Sequence, residues 1–204
     1  MGKKPSHTNL KKLIGIIAIS LPIILYLSGR WLFDLGLQSS FSLYYYTTVQ
    51  DIFVGYLCVL GILLCVDKPH YANKGYLAFA AGLLAFMIAL LPAAPPSGKI
   101  YTIIVVMYSL GAVLFFGLLA TLILTTFKPE SLTAKTKTIY TVCAYSILLT
   151  LGLFILLRLS PTETQITLHD INTVFWLEMI ATWAFGIAWL TKSHEHPSSY
   201  NEYQ

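Results

Sequence analysis

Charged residues are scarce in this chain. Of its 204 residues, only 11% are Asp, Glu, Lys or Arg, whereas 56% are hydrophobic. A soluble domain typically carries about 25% charged and about 45–50% apolar residues. The composition therefore argues against a soluble enzyme, a disordered protein and a nucleic-acid binder.

Cysteine is also scarce in this chain. Cys58, Cys65 and Cys143 all lie inside apolar runs, which argues against a disulfide framework.

Histidine is missing from the long apolar runs. All five histidines lie outside them, at positions 7, 70, 169, 194 and 196, which argues against an intramembrane haem. The chain also lacks a phosphate-binding loop, a nucleophile elbow, a His-Glu-x-x-His helix and a Cys-x-x-Cys pair. We therefore expect no cofactor and no metal site, and the sequence assigns no catalytic residue.

Long apolar runs are what the chain does contain. A helix needs about 20 mostly apolar residues to cross a bilayer, and six stretches approach this length, at 13–33, 43–66, 76–91, 100–127, 139–157 and 171–191. They are too long for barrel strands and do not alternate strictly. The pattern predicts an all-α fold with six transmembrane helices. We expect one membrane domain over residues 1–192 and a polar cytoplasmic tail over 193–204.

The basic residues predict the orientation of this bundle. Ten of the 13 Lys and Arg residues would lie on one side of the membrane, and only Arg30, Lys99 and Arg158 on the other. Because cytoplasmic loops carry the excess of basic residues, both termini are predicted to be cytoplasmic. Topology thus explains the net charge of +4 without a nucleic-acid partner.

Small residues predict where helices pack closely. They recur at helical spacing in the third and sixth runs, and glycines interrupt the second and fourth: Ala78, Gly82, Ala85 and Ala89; Ala181, Ala184 and Ala188; Gly55 and Gly61; Gly111 and Gly117. In lipid, such residues allow close helix contacts. The main interpretation is packing within one bundle, and formation of a homo-oligomer through one of these faces is the alternative.

Two carboxylates lie inside the apolar runs. Asp51 is eight residues into the second run and Glu178 is seven residues into the sixth, and both runs enter from the predicted outer side. At 1.5 Å per residue, both would lie roughly 10–12 Å below the outer surface. Ionisable residues in a membrane are costly and mark functional sites by default, so this shared layer is the candidate site.

Further polar residues surround this predicted layer. Tyr44 and Thr47 share a helical face with Asp51 at spacings of three and four, and at least one of the three consecutive tyrosines at 44–46 should face the bundle interior. Arg30 and Arg158 end the first and fifth runs on the same side, and either could be the counter-charge. His169 lies in the adjacent outer loop. These residues predict an outward-facing polar pocket that could bind a ligand.

This layer has three interpretations. The first is a buried ion-pair network that fixes helix register without a ligand. The second is a site that binds or transports a small polar molecule or a lipid headgroup. The third is a catalytic or metal site in which His169 joins the two carboxylates.

Two patches of the sequence resemble a known group of membrane proteins. They are Ser42-Leu43-Tyr44-Tyr45-Tyr46-Thr47 followed by Asp51-Ile52-Phe53-Val54-Gly55, and Glu178 with Trp183-Ala184-Phe185-Gly186-Ile187-Ala188-Trp189-Leu190. Both are similar to the DUF998-like group of bacterial six-helix membrane proteins, itself reminiscent of the Frag1/DRAM/Sfk1 proteins. The resemblance implies a six-helix fold in a bacterial inner membrane, and no particular activity.

We therefore expect an integral, multi-pass inner-membrane protein that is not an enzyme. Its partners would be the lipid bilayer and a small-molecule or lipid ligand in the outward-facing pocket. The main alternative is a membrane-embedded enzyme acting on lipid, which would use Asp51, Glu178 and His169. A third hypothesis is an accessory subunit that docks on a larger membrane complex through its small-residue faces.

Overall fold

The described part of the chain consists of helices. In a computed structural model, residues 7–67, 75–91, 99–127, 132–161, 167 and 171–195 are described. They form six α-helices: α1 (His7–Phe33), α2 (Gln50–Val66), α3 (Gly75–Leu90), α4 (Lys99–Thr126), α5 (Ala134–Leu159) and α6 (Thr173–Ser193). A 3-10 helix, η1 (Phe41–Tyr46), lies between α1 and α2. These residues contain no β-strand, so the prediction of an all-α fold is confirmed for them.

The six helices form a ring in chain order. Each helix packs against the next one, and α6 packs against both α5 and α1, which closes the ring. Helices α2 and α3 are antiparallel, because the last turn of α2 meets the first turns of α3, where the Cys65 thiol approaches the Phe79 carbonyl oxygen at 3.8 Å. At the closure between α1 and α6, the Trp183 indole N–H donates to the Ile19 carbonyl oxygen at 3.1 Å.

This arrangement gives the bundle two distinct ends. At the end that we call basal, the first turns of α1 meet the last turn of α6. Leu190 of α6 lies against Gly15 of α1 there, and the charges of Asp67 and Lys192 act on Lys11. The opposite end, which we call apical, carries η1 and the last turns of α1 and α5 with Arg30 and Arg158.

Four helices are long and apolar enough to cross a membrane. These are α1 from Thr8, the part of α4 at Val106–Thr126, α5 and α6, whereas α2 and α3 are apolar but shorter. Large apolar side chains point away from the ring, and Leu149 and Leu156 on α5 are 65% and 62% exposed. The helices and their apolar surface indicate a membrane-embedded protein.

Helix α2 begins later than its apolar run. The prediction had a helix over 43–66, but η1 occupies 41–46 and α2 starts at Gln50. A turn separates the two, in which the Gln50 N–H donates to the Thr47 carbonyl oxygen at 3.1 Å. Local backbone bonds of this kind offer the chain an alternative to a continuous α-helix.

Glycine allows backbone contact at two helix crossings. A Cβ atom on Gly82 of α3 would lie 2.5 Å from the Cys65 sulfur and 2.7 Å from the Gly61 oxygen of α2. A Cβ atom on Gly186 of α6 would lie 2.9 Å from the Gly15 oxygen of α1. The predicted small faces of α3 and α6 are also buried, at Ala78, Gly82, Ala85, Ala89, Ala181, Ala184 and Ala188. Close packing at these positions is confirmed.

The same prediction is wrong for two other glycines. A Cβ atom added to Gly55 or to Gly117 would meet no atom of the described residues within 4 Å, and Gly55 is exposed. Gly55 lies on the outer face of α2, since Phe53, Leu57 and Leu60 are the residues of this helix that face the core.

The crossing of α2 and α3 can be tested with two matched glycine substitutions. Gly82→Ala should lower the free energy of unfolding by about 1–3 kcal/mol, because the added methyl group overpacks the contact with Cys65 and Gly61. Gly55→Ala makes the same change in open space and should raise stability by about 0.5–1 kcal/mol through helix propensity. Reversible unfolding in mixed detergent micelles measures both values, and equal effects of the two substitutions would contradict the packing.

Candidate ligand cavity at Glu178

A cavity lies between α4, α5 and α6. It holds about 360 Å³ of space, part of which is open to the surroundings. Six of the side chains that line it are Ala112 and Phe116 from α4, Thr150 and Phe154 from α5, and Glu178 and Ala181 from α6. Among the described residues of this lining, only Thr150 and Glu178 are polar, and the Thr150 hydroxyl already donates to the Ile147 carbonyl oxygen at 2.9 Å. Glu178 is therefore the single ionisable group of the described lining.

The Glu178 carboxylate is half-buried and bound to a backbone amide. The Phe41 N–H donates to its Oε2 atom at 2.6 Å, which is a charge-assisted bond of the stronger kind. Arg158 is near enough for its charge to act on the carboxylate. Because α6 starts at Thr173, Glu178 lies about 8 Å along the helix from its apical start at 1.5 Å per residue.

The segment containing η1 covers the apical end beside this carboxylate. The Phe175 N–H donates to the Ser39 carbonyl oxygen at 2.9 Å, and the Phe41 and Phe175 rings pack edge to face with centroids 5.1 Å apart. Ser42 hydrogen-bonds to Tyr108 of α4. The segment is thus attached to both α4 and α6, two of the three helices that line the cavity.

Tyr44 and Thr47 shape this cover and do not line the cavity. Tyr44 is 1% exposed, which confirms that one of the three consecutive tyrosines faces the interior. The Thr47 hydroxyl donates to the Tyr44 carbonyl oxygen at 2.8 Å, and its oxygen also accepts from the Val49 N–H. Both residues hold the chain between η1 and α2, so the structure gives them a positioning role.

Asp51 does not share a site with Glu178, and the prediction of one polar layer is wrong on this point. Asp51 lies in the first turn of α2 and its side chain is exposed. The expected depth assumed a helix from residue 43, whereas η1 and a turn occupy that stretch. In the first turn, the carboxylate is stabilised by the positive end of the helix dipole. The face that Asp51 shares with Gly55 points outward, not into the bundle.

The two predicted counter-charges are placed differently. Arg30 forms an exposed ion pair with Asp34, four residues along the chain. The Arg158 guanidinium lies over the Phe154 ring, 5.1 Å from its centroid, and Phe154 lines the cavity. Arg158 is therefore the arginine nearer to the cavity, at its edge, where it is exposed and does not belong to the lining.

His169 lies outside the described residues. Within the described part of the chain, no group of three His, Cys, Asp or Glu side chains could hold a metal ion.

A second polar cluster lies at the basal end, and sequence reasoning missed it. The Trp189 indole N–H donates to Asp67 Oδ2 at 3.2 Å, with both side chains buried. The Tyr140 hydroxyl donates to Glu195 Oε1, and Lys192 forms an ion pair with the same carboxylate. We call these five side chains the basal cluster, and it joins the end of α2 to the start of α5 and the end of α6.

The basal cluster also alters the predicted tail. Ser193 is 4% exposed and Glu195 contacts Tyr140, so residues 193–195 pack on the bundle, whereas 196–204 lie outside the described residues. In the sequence, Trp189 and Tyr140 lie near the ends of their apolar runs, as interfacial aromatic residues of membrane proteins commonly do. The available signal was a set of charged residues just outside three of the apolar runs: Lys11 precedes the first run, Asp67 follows the second, and Lys192 and Glu195 follow the sixth.

The bond between Trp189 and Asp67 can be measured against a matched tryptophan. Trp189→Phe should lower the free energy of unfolding by about 1.5–3 kcal/mol, because it removes a buried donor to a carboxylate. Trp176→Phe changes a tryptophan that is 47% exposed and should change stability by about 0.5 kcal/mol or less. Thermal unfolding of the purified variants gives both values, and an equally small effect at Trp189 would contradict a stabilising bond.

The comparisons with known proteins add no relative. The chain matches no protein family, and no characterised protein or solved structure is significantly similar to it. The resemblance of the patches around Asp51 and Glu178 to the DUF998-like group therefore stays a prediction.

Proposed function

We propose that this protein is a multi-pass membrane protein that binds one amphipathic small molecule or lipid in the cavity between α4, α5 and α6. The observation that carries this proposal is the carboxylate of Glu178 in an otherwise apolar lining. Ligand sites typically have mostly apolar walls and a few placed polar groups. The cavity has this composition.

The cost of placing Glu178 there supports a ligand. A carboxylate in apolar surroundings is expensive unless it is compensated by hydrogen bonds or opposite charge. Phe41 supplies one hydrogen bond to Oε2, whereas a carboxylate can accept about four. The charge of Arg158 also acts on the carboxylate. A ligand donor at Glu178 would add to this compensation, which supports a binding role for a glutamate at this position.

We further propose that all six helices cross a bacterial inner membrane with both termini in the cytoplasm. The supporting observation is the excess of basic residues at the basal end over the apical end. Among the described residues, five lie at the basal end and three at the apical end: Lys11, Lys12, Lys135, Lys137 and Lys192, against Arg30, Lys99 and Arg158. The cavity would then face the outer half of the membrane. Fluorescence of a green fluorescent protein fused after residue 204 tests this orientation, and a non-fluorescent but stable fusion would contradict it.

Filling the cavity tests the proposed function. The purified protein is stripped of lipid, and its unfolding temperature is measured with and without a mixture of phosphatidylethanolamine and phosphatidylglycerol. A ligand at about 100 times its Kd stabilises by about 2.7 kcal/mol, which corresponds to a rise of about 5–10 °C for a chain of this size. Ala112→Leu places a larger side chain in the cavity and should remove most of this rise.

The control is the same change outside the cavity. Ala80 on α3 is half-exposed and is not part of the lining, so Ala80→Leu should keep the full rise. The proposal fails if lipid does not stabilise the natural protein, or if Ala112→Leu is folded and still shows the full rise.

A further inference from the structure

We propose that the ligand of this cavity is an amphiphile that presents an ammonium group to the Glu178 carboxylate. This inference rests on the proposed function and specifies the ligand class of the same cavity. Among the described residues of the lining, Glu178 is the single ionisable one. The cavity therefore offers a ligand one negative charge.

One oxygen of the Glu178 carboxylate remains open to a ligand. Oε2 accepts a hydrogen bond from the Phe41 N–H at 2.6 Å, whereas Oε1 has no hydrogen-bond partner among the described residues. Oε1 also keeps accessible surface, so the protein does not enclose it. Because Glu178 belongs to the lining, a ligand in the cavity can reach this oxygen.

The polar groups around the carboxylate have other places or partners. Arg158 acts on it from the edge of the cavity, where the arginine side chain is exposed and water weakens the interaction of charges. The Tyr108 hydroxyl of α4 is hydrogen-bonded to Ser42, and the Thr150 hydroxyl donates to a backbone carbonyl oxygen of its own helix. The open oxygen is thus left to water or to a ligand.

The charge of the carboxylate selects among the polar groups of amphiphiles. An anionic group would be repelled, and a neutral hydroxyl group would leave the charge uncompensated in apolar surroundings, which is costly. An ammonium group supplies the opposite charge and N–H donors, and charge-assisted hydrogen bonds are roughly twice as strong as neutral ones. Phe116 and Phe154 also lie in the lining, and the faces of aromatic rings attract cations. The lining therefore favours a cationic group.

The apolar walls favour an ammonium group on a hydrocarbon chain over a small soluble amine. Apart from Thr150 and Glu178, the described residues of the lining are apolar, and burial of apolar surface contributes about 25 cal/mol per Å² to binding. The space is partly open, so a chain attached to the ammonium group would cover these walls and leave through the open side. Two sources share this chemistry, a phospholipid with an ethanolamine headgroup and a free lipophilic amine.

Two amphiphiles with the same chain test the inference. Dissociation constants for dodecylamine and dodecanol are measured on the lipid-free protein in micelles of a neutral detergent, as mole fractions in the micelle. At neutral pH the amine is protonated, as lysine is. We expect dodecylamine to bind about tenfold more tightly or better, because a hydrogen bond to a charged group is the stronger kind. Glu178→Gln keeps an acceptor for the Phe41 N–H but removes the charge, and it should abolish this preference.

Asp51→Asn is the matched control, because it removes the same charge from a carboxylate that is exposed outside the cavity. This variant should keep the preference of the natural protein. Ala112→Leu keeps Glu178 and should weaken binding of dodecylamine, so a folding defect of Glu178→Gln would not decide the test. Equal binding of the two amphiphiles, or an undiminished preference in folded Glu178→Gln, would overturn the inference. If both bind equally and Ala112→Leu blocks both, the ammonium class fails while the proposed function stands.

Competition between phospholipids identifies the source of the ammonium group. We expect phosphatidylethanolamine to displace dodecylamine from the natural protein, and phosphatidylglycerol, which lacks the ammonium group, to leave it bound. Equal displacement by the two lipids would overturn the ammonium class. Tight binding of dodecylamine that neither lipid displaces would support the class and assign the site to a free lipophilic amine.

Discussion

The hydrogen bond from the Phe41 N–H to Glu178 is the interaction on which the apical half depends. In apolar surroundings, a backbone amide and a carboxylate both need a partner, and each satisfies the other at 2.6 Å. The bond holds η1 across the end of the ring, where Tyr44 is buried. Since η1 occupies this stretch, α2 starts only at Gln50, and Asp51 lies on the outer surface. Together with the bond from the Phe175 N–H to the Ser39 carbonyl oxygen and the contact of the Phe41 and Phe175 rings, this bond holds the cover of the cavity in the place where a longer α2 would have brought Asp51 inward.

Helix α6 connects this apical site to the rest of the bundle. Near its start it carries Glu178, in its middle Gly186 contacts the Gly15 backbone of α1, and near its end Trp189 donates to Asp67. The two ends of the same helix therefore use their polar groups differently. The basal cluster pairs its carboxylates with protein donors from the bundle, whereas the carboxylate at the apical end faces a cavity. This contrast favours structural roles at the basal end and ligand binding at the apical end.

The all-α fold and much of the helix packing could be predicted from the sequence, because apolar runs and small residues such as Ala78 and Gly82 reflect local helical periodicity. The position of Asp51 could not, since the predicted depth depended on a continuous helix and η1 breaks it. Glu178 and Arg158 were both predicted site residues, but only the fold could show that Phe154 and Ala112 line the same cavity. The bond between Trp189 and Asp67 joins residues 122 positions apart, and no local pattern indicates such a pair.

A count of bound ligand molecules tests the central claim, that the Glu178 cavity holds one amphiphile. The protein is extracted from membranes in a mild detergent and its mass is measured under conditions that preserve non-covalent complexes. The account predicts a population with the added mass of one lipid in the natural protein and in Asp51→Asn, and loss of this population in Glu178→Gln. A protein that carries no lipid mass, or an equal lipid-bound fraction in Glu178→Gln, would contradict it.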